Sequence, residues 1–563
     1  MLVANAAVLL GAHATLRKIR TGVAELDAIL FLLLRFLFIG AAVLLAGLTR
    51  TLQGGALAIA GVVVLAILLA CGEHHRLPPL RVPPVPRFVG VVLGILAVRL
   101  ALQVWFFAPF GIDSISYHLP KVSEWVREGR LVHSLGADVR ETFPAGFELI
   151  ETWWVIFLRH DVLIEMAGVE FLALGFVAVL ALARGLGLGP PAAAMAALLY
   201  ILTPGVHLLA LSCMNDVPVA ALIVAGAALI QRRAHPLLLL LPAGLGIGMK
   251  PIFVYVLPGL LLLAWFVRRA PLLRPEVPRA ATIVAGISLA TGAFWYLRNA
   301  MVFGSPIYPV GQVSLLPTLP PLAENLHWFG RRYLRLFEVS LYDRDEPYTT
   351  LLAAIPAWGA AVFTMGLPAL LDRLREAPPF RMLAWSFLAA TCGVFLMCPP
   401  TYFVYRFLLF VPALFAIAIA SFSELHPVFG RLAQGLTVLL LVGTVLPEDA
   451  APHLGDMTSQ RWRERTYEQD FRAIPREEKV ACLYGLNSCL YEAAAPDFRR
   501  PLAGIRDAST AEDLRDQLRH QGIRWLSSRG DPESARLKSI VEQAERAGYL
   551  RSHGPGLYRC TTP

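Results

Sequence analysis

Apolar runs of bilayer or near-bilayer length alternate with short polar connections through the first 446 residues. Read against Gly, Pro and charge breakers, they fall near 28–49, 53–72, 88–109, 162–184, 190–210, 213–231, 236–249, 251–267, 279–299, 350–371, 381–398, 403–421 and 430–446. A spanning helix needs about 20 apolar residues. Several runs are shorter, and the pairs beside Asp216 and Lys250 read either as crossings or as re-entrant segments. Residues 1–27 are expected to be an N-terminal cytoplasmic or interfacial segment, partly embedded, with no cleavage site after an apolar core.

The pattern changes after residue 447. Apolar runs shrink to strand length at Val480–Tyr484, Ile523–Ser527 and Leu557–Cys560, with helical periodicity at 509–521 and 532–547. The predicted architecture is an all-α polytopic membrane protein of about 13 helices over residues 28–446, followed by a small α/β domain over 447–563.

Lys and Arg distribution predicts the orientation. With the amino terminus inside, the cytoplasmic side receives Arg17, Lys18 and Arg20, Arg232 and Arg233, and Arg373, Arg375 and Arg381. The loops 110–161 and 300–349 and the C-terminal domain then lie extracytoplasmic.

Composition agrees. The chain of 563 residues is 56% hydrophobic and 16% charged, against about 25% charged in soluble domains. The net charge of +9 comes from short loops rather than from a basic stripe interleaved with aromatics, so nucleic acid is excluded as a partner. Seven cysteines occur with no CxxC spacing. An exported tail permits a disulfide between two of Cys482, Cys489 and Cys560, and free buried thiols are the alternative.

Polar residues collect at the span ends of the extracytoplasmic side: Asp113, Tyr117 and His118; Glu148 and Glu151; Asn215 and Asp216; Lys250; Arg298 and Asn299; Tyr402, Tyr405 and Arg406. Acids, cations and aromatics at one boundary suit an anionic lipid-linked substrate, with cations on phosphate and a carboxylate taking a proton. Each residue also has a structural reading. Asp113 could cap a helix over Ser116–Arg130, Asp216 could serve the dipole of the helix it begins, and Lys250 and Arg406 could snorkel. Arg298 and Asn299 could cover the last carbonyls of a helix, Tyr402 and Tyr405 could belong to an aromatic belt, and Glu148 and Glu151 could be solvated.

In order along the chain stand Asp113-Ser-Ile-Ser-Tyr-His-Leu-Pro120, Phe143-Pro-Ala-Gly-Phe-Glu-Leu149, Met214-Asn-Asp-Val-Pro218, Gly248-Met-Lys-Pro251, Arg298-Asn-Ala-Met-Val-Phe-Gly-Ser-Pro-Ile-Tyr-Pro309 and Tyr405-Arg-Phe-Leu-Leu409. Together, over residues 88–421, they resemble the bacterial integral-membrane GT-C glycosyltransferases related to protein O-mannosyltransferases and aminoarabinose transferases. The resemblance implies a polyprenyl-phosphate-sugar donor, inverting transfer to a hydroxyl on an acceptor protein, lipid or glycan, and a bacterial inner-membrane location. It implies Asp113 as general base, Asp216 as the second catalytic acid, and Lys250, Arg298 and Arg406 toward the donor phosphate. Tyr117, His118, Glu148, Asn215 and Tyr405 are then substrate-binding candidates. The family often carries two adjacent acids in its first loop, whereas Asp113 is followed by Ser114. That speaks against a metal-bridging pair, although a divalent metal stays open as a cofactor.

Two rival functions remain from sequence. A transporter or lipid-carrier flippase would use Asp113, Asp216 and Lys250 as an ion path, and Arg35 and Arg99 inside spans fit it best. A non-catalytic scaffold would act through its tail.

Overall fold

The computed structural model describes residues 1–76, 83–109, 113–132, 139–267, 279–308, 354–397, 404–445, 471, 474–483, 490–505, 507–528, 535–554 and 556–561. Each of the thirteen apolar runs is helical over most of its described residues. In chain order the helices are α1 (Leu2–Ile19), α2 (Ala24–Leu48), α3 (Gly54–Ala70), α4 (Arg87–Phe106), α5 (Leu119–Glu128), α6 (Gly146–Ile156), α7 (Met166–Gly185), α8 (Pro190–Ile201) and α9 (Pro204–Ala210). They continue with α10 (Asp216–Gln231), α11 (Pro236–Met249), α12 (Ile252–Val267), α13 (Arg279–Phe303), α14 (Ala354–Ala361), α15 (Leu367–Glu376), α16 (Pro378–Met397), α17 (Pro412–Phe422) and α18 (Pro427–Val445). Among the described residues five segments are long and apolar enough to cross a bilayer, and the pair α8–α9, bent by 62°, makes a sixth if it is one span. The bend falls at Thr203-Pro204, where proline withholds its N–H and disfavours helix at the residue before it.

Small residues set the helix contacts. Gly244 and Gly248 of α11 face Ser288 and Gly292 of α13, four residues apart on both helices, so the two backbones touch. Likewise Gly259 of α12 lies against the Ser386 carbonyl of α16. Within the bundle Arg35 donates to Glu170 at 2.6 Å and to Asn5 of α1 at 3.1 Å, so this intramembrane charge is paired.

Loops meet at one end of the bundle. The Leu52 N–H donates to the Gly129 carbonyl at 2.9 Å, Asn215 Nδ2 to the Met249 carbonyl at 2.9 Å, and Asn299 Nδ2 to the Thr142 carbonyl at 3.1 Å. The C-terminal domain sits at this end too. Its strands β1 (Val480–Leu483), β2 (Leu502–Ile505), β3 (Trp525–Ser527), β4 (Leu550–Gly554) and β5 (Leu557–Cys560) form a sheet of order β2-β1-β3-β5-β4. β1 is parallel to β2 and β3, and β5 is antiparallel to β3 and β4. With helices α19 (Leu490–Ala494), α20 (Ala511–His520) and α21 (Ala535–Arg546), this is the α/β domain expected, with β2 and β4 added.

Alternation along β1 divides its faces. Ala481 and Leu483 pack under α20 and α21, while Val480 and Cys482 join the core that continues into the membrane helices. The Tyr491 hydroxyl of α19 donates to Asp161 Oδ2 at 3.2 Å, and the Asp161 N–H donates to the Pro496 carbonyl at 3.1 Å. α19 also packs on α5 and on the turn Ser114–His118. Cys482 is disulfide-bonded and Cys560 is a free thiol. Cys489 lies outside the described residues.

Candidate active site

Asp113 opens a π-helical turn, Ser114–His118, that leads into α5. It makes no capping hydrogen bond, so the capping role is excluded. Its Oδ2 lies 2.5 Å from Arg406 Nη2 and its Oδ1 lies 3.5 Å from Arg140 Nη1. Burial alone would raise the Asp113 carboxyl, but Arg406 first, then His118 and Arg140, together outweigh it and hold the group below the usual range. Asp216 begins α10, and its Oδ1 accepts from Lys250 Nζ at 2.6 Å with Arg406 Nε at 3.8 Å. Arg406 therefore stands between the two acids. Lys250 pairs rather than snorkels, because its ammonium is held by a buried carboxylate.

The scaffold around these groups follows from local sequence. Ser114 Oγ donates to the Ser212 carbonyl, which ties the turn bearing Asp113 to the turn before Asp216. Asn215 anchors that second turn to the end of α11, next to Lys250. Gly146 starts α6 where a Cβ would come within 2.8 Å of the Gly248 carbonyl oxygen, so two of the motifs touch through their glycines.

A second buried cluster lies alongside. Glu148 Oε1 is 2.9 Å from His118 Nδ1 and 2.5 Å from Lys121 Nζ. Burial would raise Glu148, yet Lys121 and His118 bring its carboxyl down to about 2. Glu151, one turn further along α6, is pushed well up by burial and then by the Glu148 charge. Neither acid is solvated, since both are 0% exposed. His118 is pushed down by burial despite Glu148. Its partnership with Glu148 and its ring contact with Tyr117, centroids 4.3 Å apart, place it in the packing of this wall.

Arg298 is placed differently from expectation. It bonds the Asn299 side chain at 2.7 Å and the Thr142 carbonyl, and it lies five residues before the end of α13. Arg298 and Asn299 thus cover no carbonyl of their own helix end; they grip the turn Val139–Thr142 that presents Arg140. Tyr402 and the Tyr405 side chain lie outside the described residues. Sequence reasoning missed Arg140, which faces both Asp113 and the Tyr117 ring (4.6 Å to the centroid); Lys121, the counter-charge of Glu148, stands in the polar stretch that begins at Asp113 but carried no assigned role. The signal for Lys121 is its spacing of three from His118, which places both on one helix face. Among the described residues no three His, Cys, Asp or Glu side chains converge as a metal-ligand set.

No family model and no curated protein matches the chain. Solved structures do. ArnT from Cupriavidus metallidurans bound to undecaprenyl phosphate superposes with TM-score 0.51 at 13% identity, over 84% of this chain and 98% of that one. ArnT in the apo state gives 0.50 at 13% identity, over the same 84% and 98%. The archaeal oligosaccharyltransferase AglB from Archaeoglobus fulgidus follows at 0.39 and 12% identity, over 81% and 71%, too distant to argue from. At 13% identity the two ArnT structures show the fold alone: this chain shares the fold of ArnT, and several of its helices are long and apolar enough to cross a membrane.

Proposed function

We propose that the protein is a membrane glycosyltransferase that moves a sugar from a polyprenyl-phosphate-linked donor to an acceptor hydroxyl with inversion, at the extracytoplasmic face of the bacterial inner membrane. The amino terminus is cytoplasmic and the C-terminal domain extracytoplasmic in this reading. The observation that carries it is the buried pair Asp113 and Asp216 with Arg406 between them and Lys250 on the second acid. ArnT, whose fold the chain shares, was solved with undecaprenyl phosphate bound, which supports the donor class.

Asp113, ionised in the resting site, takes the proton of the acceptor hydroxyl. The oxygen attacks the anomeric carbon on the face opposite the phosphate. Lys250 and Arg406 meet the charge that develops on the leaving phosphate, and Asp216 holds both cations in position. Arg298 serves the reaction through the Thr142 turn rather than through the phosphate.

Vesicles reconstituted with the purified chain and a polyprenyl-phosphate sugar test this reading. Sugar appearing on hydroxyl-bearing acceptors supports it. Lipid flipping that needs no acceptor, with no transfer, identifies the flippase instead.

A further inference from the structure

We propose that Arg406 is shared between Asp113 and the donor phosphate: the base stays masked until a lipid phosphate takes the guanidinium, so donor enters before acceptor. The inference rests on the transferase reading above and adds its order of events.

Both oxygens of Asp113 face guanidinium groups, Oδ2 with Arg406 at 2.5 Å and Oδ1 with Arg140 at 3.5 Å. Charge-assisted bonds to the ionised form make a carboxylate a weaker proton acceptor. Arg406 must therefore loosen for Asp113 to act. On its other edges Nε is 3.8 Å from Asp216 Oδ1, which already accepts from Lys250, and Nη1 donates to the Met214 sulfur at 3.5 Å. A thioether is a weak acceptor, and a phosphate oxygen is a much stronger partner for that edge.

The acids do not depend on Arg406 for their spacing. Their turns are joined by the Ser114 to Ser212 hydrogen bond, whereas Arg406 arrives on a separate turn, Val404–Leu408. The guanidinium can change partners while the acids stay in place. Among the described residues, the two carboxylates Asp113 and Asp216 face three cations, Arg140, Arg406 and Lys250, an excess of one positive charge that an anionic phosphodiester would neutralise.

Transfer reinforces the exchange. The bond from the anomeric carbon to the phosphate oxygen breaks with its electron pair on the phosphate, and the acceptor oxygen forms the new bond. The hydroxyl proton passes to Asp113. The phosphate gains a negative charge as Asp113 loses its own, so the pull on Arg406 shifts to the leaving group.

The test is a binding cycle with a short-chain prenyl phosphate as probe, no sugar and no acceptor, on the purified full chain in nanodiscs. If Asp113 competes for Arg406, Asp113→Asn binds the probe tighter by on the order of tenfold. Arg406→Gln binds it more weakly, and in the double variant the gain from Asp113→Asn vanishes. Arg406→Lys, which keeps charge without the fork, gives a reduced gain and carries the same cycle should Arg406→Gln not fold. An Asp113→Asn protein that binds no tighter, or a gain that survives without Arg406, overturns the exchange while leaving the transferase reading intact. A wild-type chain that binds no prenyl phosphate overturns both.

Discussion

The hydroxyl of Ser114 donates to the carbonyl of Ser212, and that bond fastens the turn carrying Asp113 to the turn that leads into Asp216.

Removing the tether should loosen the spacing of the acids without touching the cations. Ser114→Ala is expected to lower kcat about tenfold, the effect of losing ~1.4 kcal/mol of transition-state positioning. KM for donor should change little, and Ser114→Thr should retain more activity than Ala. Steady-state kinetics in detergent or nanodiscs decide, and a rise in KM alone contradicts the role.

The two acids on α6 give opposite pH signatures. Glu148 has a folded-state value of about 2, below its ordinary 4.5, so its stabilisation is full above about 4.5 and is lost as pH falls toward 2. Glu151 is raised above its ordinary 4.5 by burial and then by the Glu148 charge, so its contribution declines as pH rises above that value. Thermal melts across pH should show Glu151→Gln flattening the alkaline-side decline. Glu148→Gln should lower stability at pH 7, because Lys121 is then left buried without its counter-charge, a change of about 3–5 kcal/mol.

The α11–α13 contact admits no side chain at Gly292, where a Cβ would run into the Gly244 carbonyl. Gly292→Ala is expected to push the helices apart at a cost of about 1–3 kcal/mol. The yield of monodisperse protein and its melting temperature measure this. Gly286 of α13, which has open space around its Cβ position, is the control expected to tolerate Ala.

The C-terminal domain is joined to the loops by Tyr491 and Asp161. Tyr491→Phe leaves buried Asp161 short of a donor and should cost about 1–3 kcal/mol locally. Faster amide exchange in residues 490–505, without change in α7, is the expected readout; equal exchange means that packing alone holds the domain.

The helical half of the fold was legible because its signal is carried by composition: a run such as Val91–Ala101 needs no partner to reveal itself. Asp113, Asp216 and Lys250 were legible for a related reason, as charges interrupting such runs. What the sequence hid depends on tertiary contact. Arg298 looked like Lys250, a cation at a span end, yet only folding shows that its fork is taken up by Asn299 and Thr142. Arg140 lies in a stretch with no periodicity, so nothing local pointed it at Asp113. In the tail, β4 (Leu550–Gly554) escaped notice because it is an edge strand with a mostly exposed pattern and little apolar alternation. β2 was hidden by its shortness and by Gly504.

The most direct measurement compares cell-envelope glycans and glycoproteins by mass spectrometry in cells carrying the wild-type chain, the Asp113→Asn chain at equal abundance, or neither. The expected result is a sugar addition present with wild type, absent without the protein, and reduced by about 10² or more with Asp113→Asn. A modification that persists undiminished with Asp113→Asn contradicts the assignment of Asp113 as the base, and envelopes identical in all three cells contradict the transferase itself.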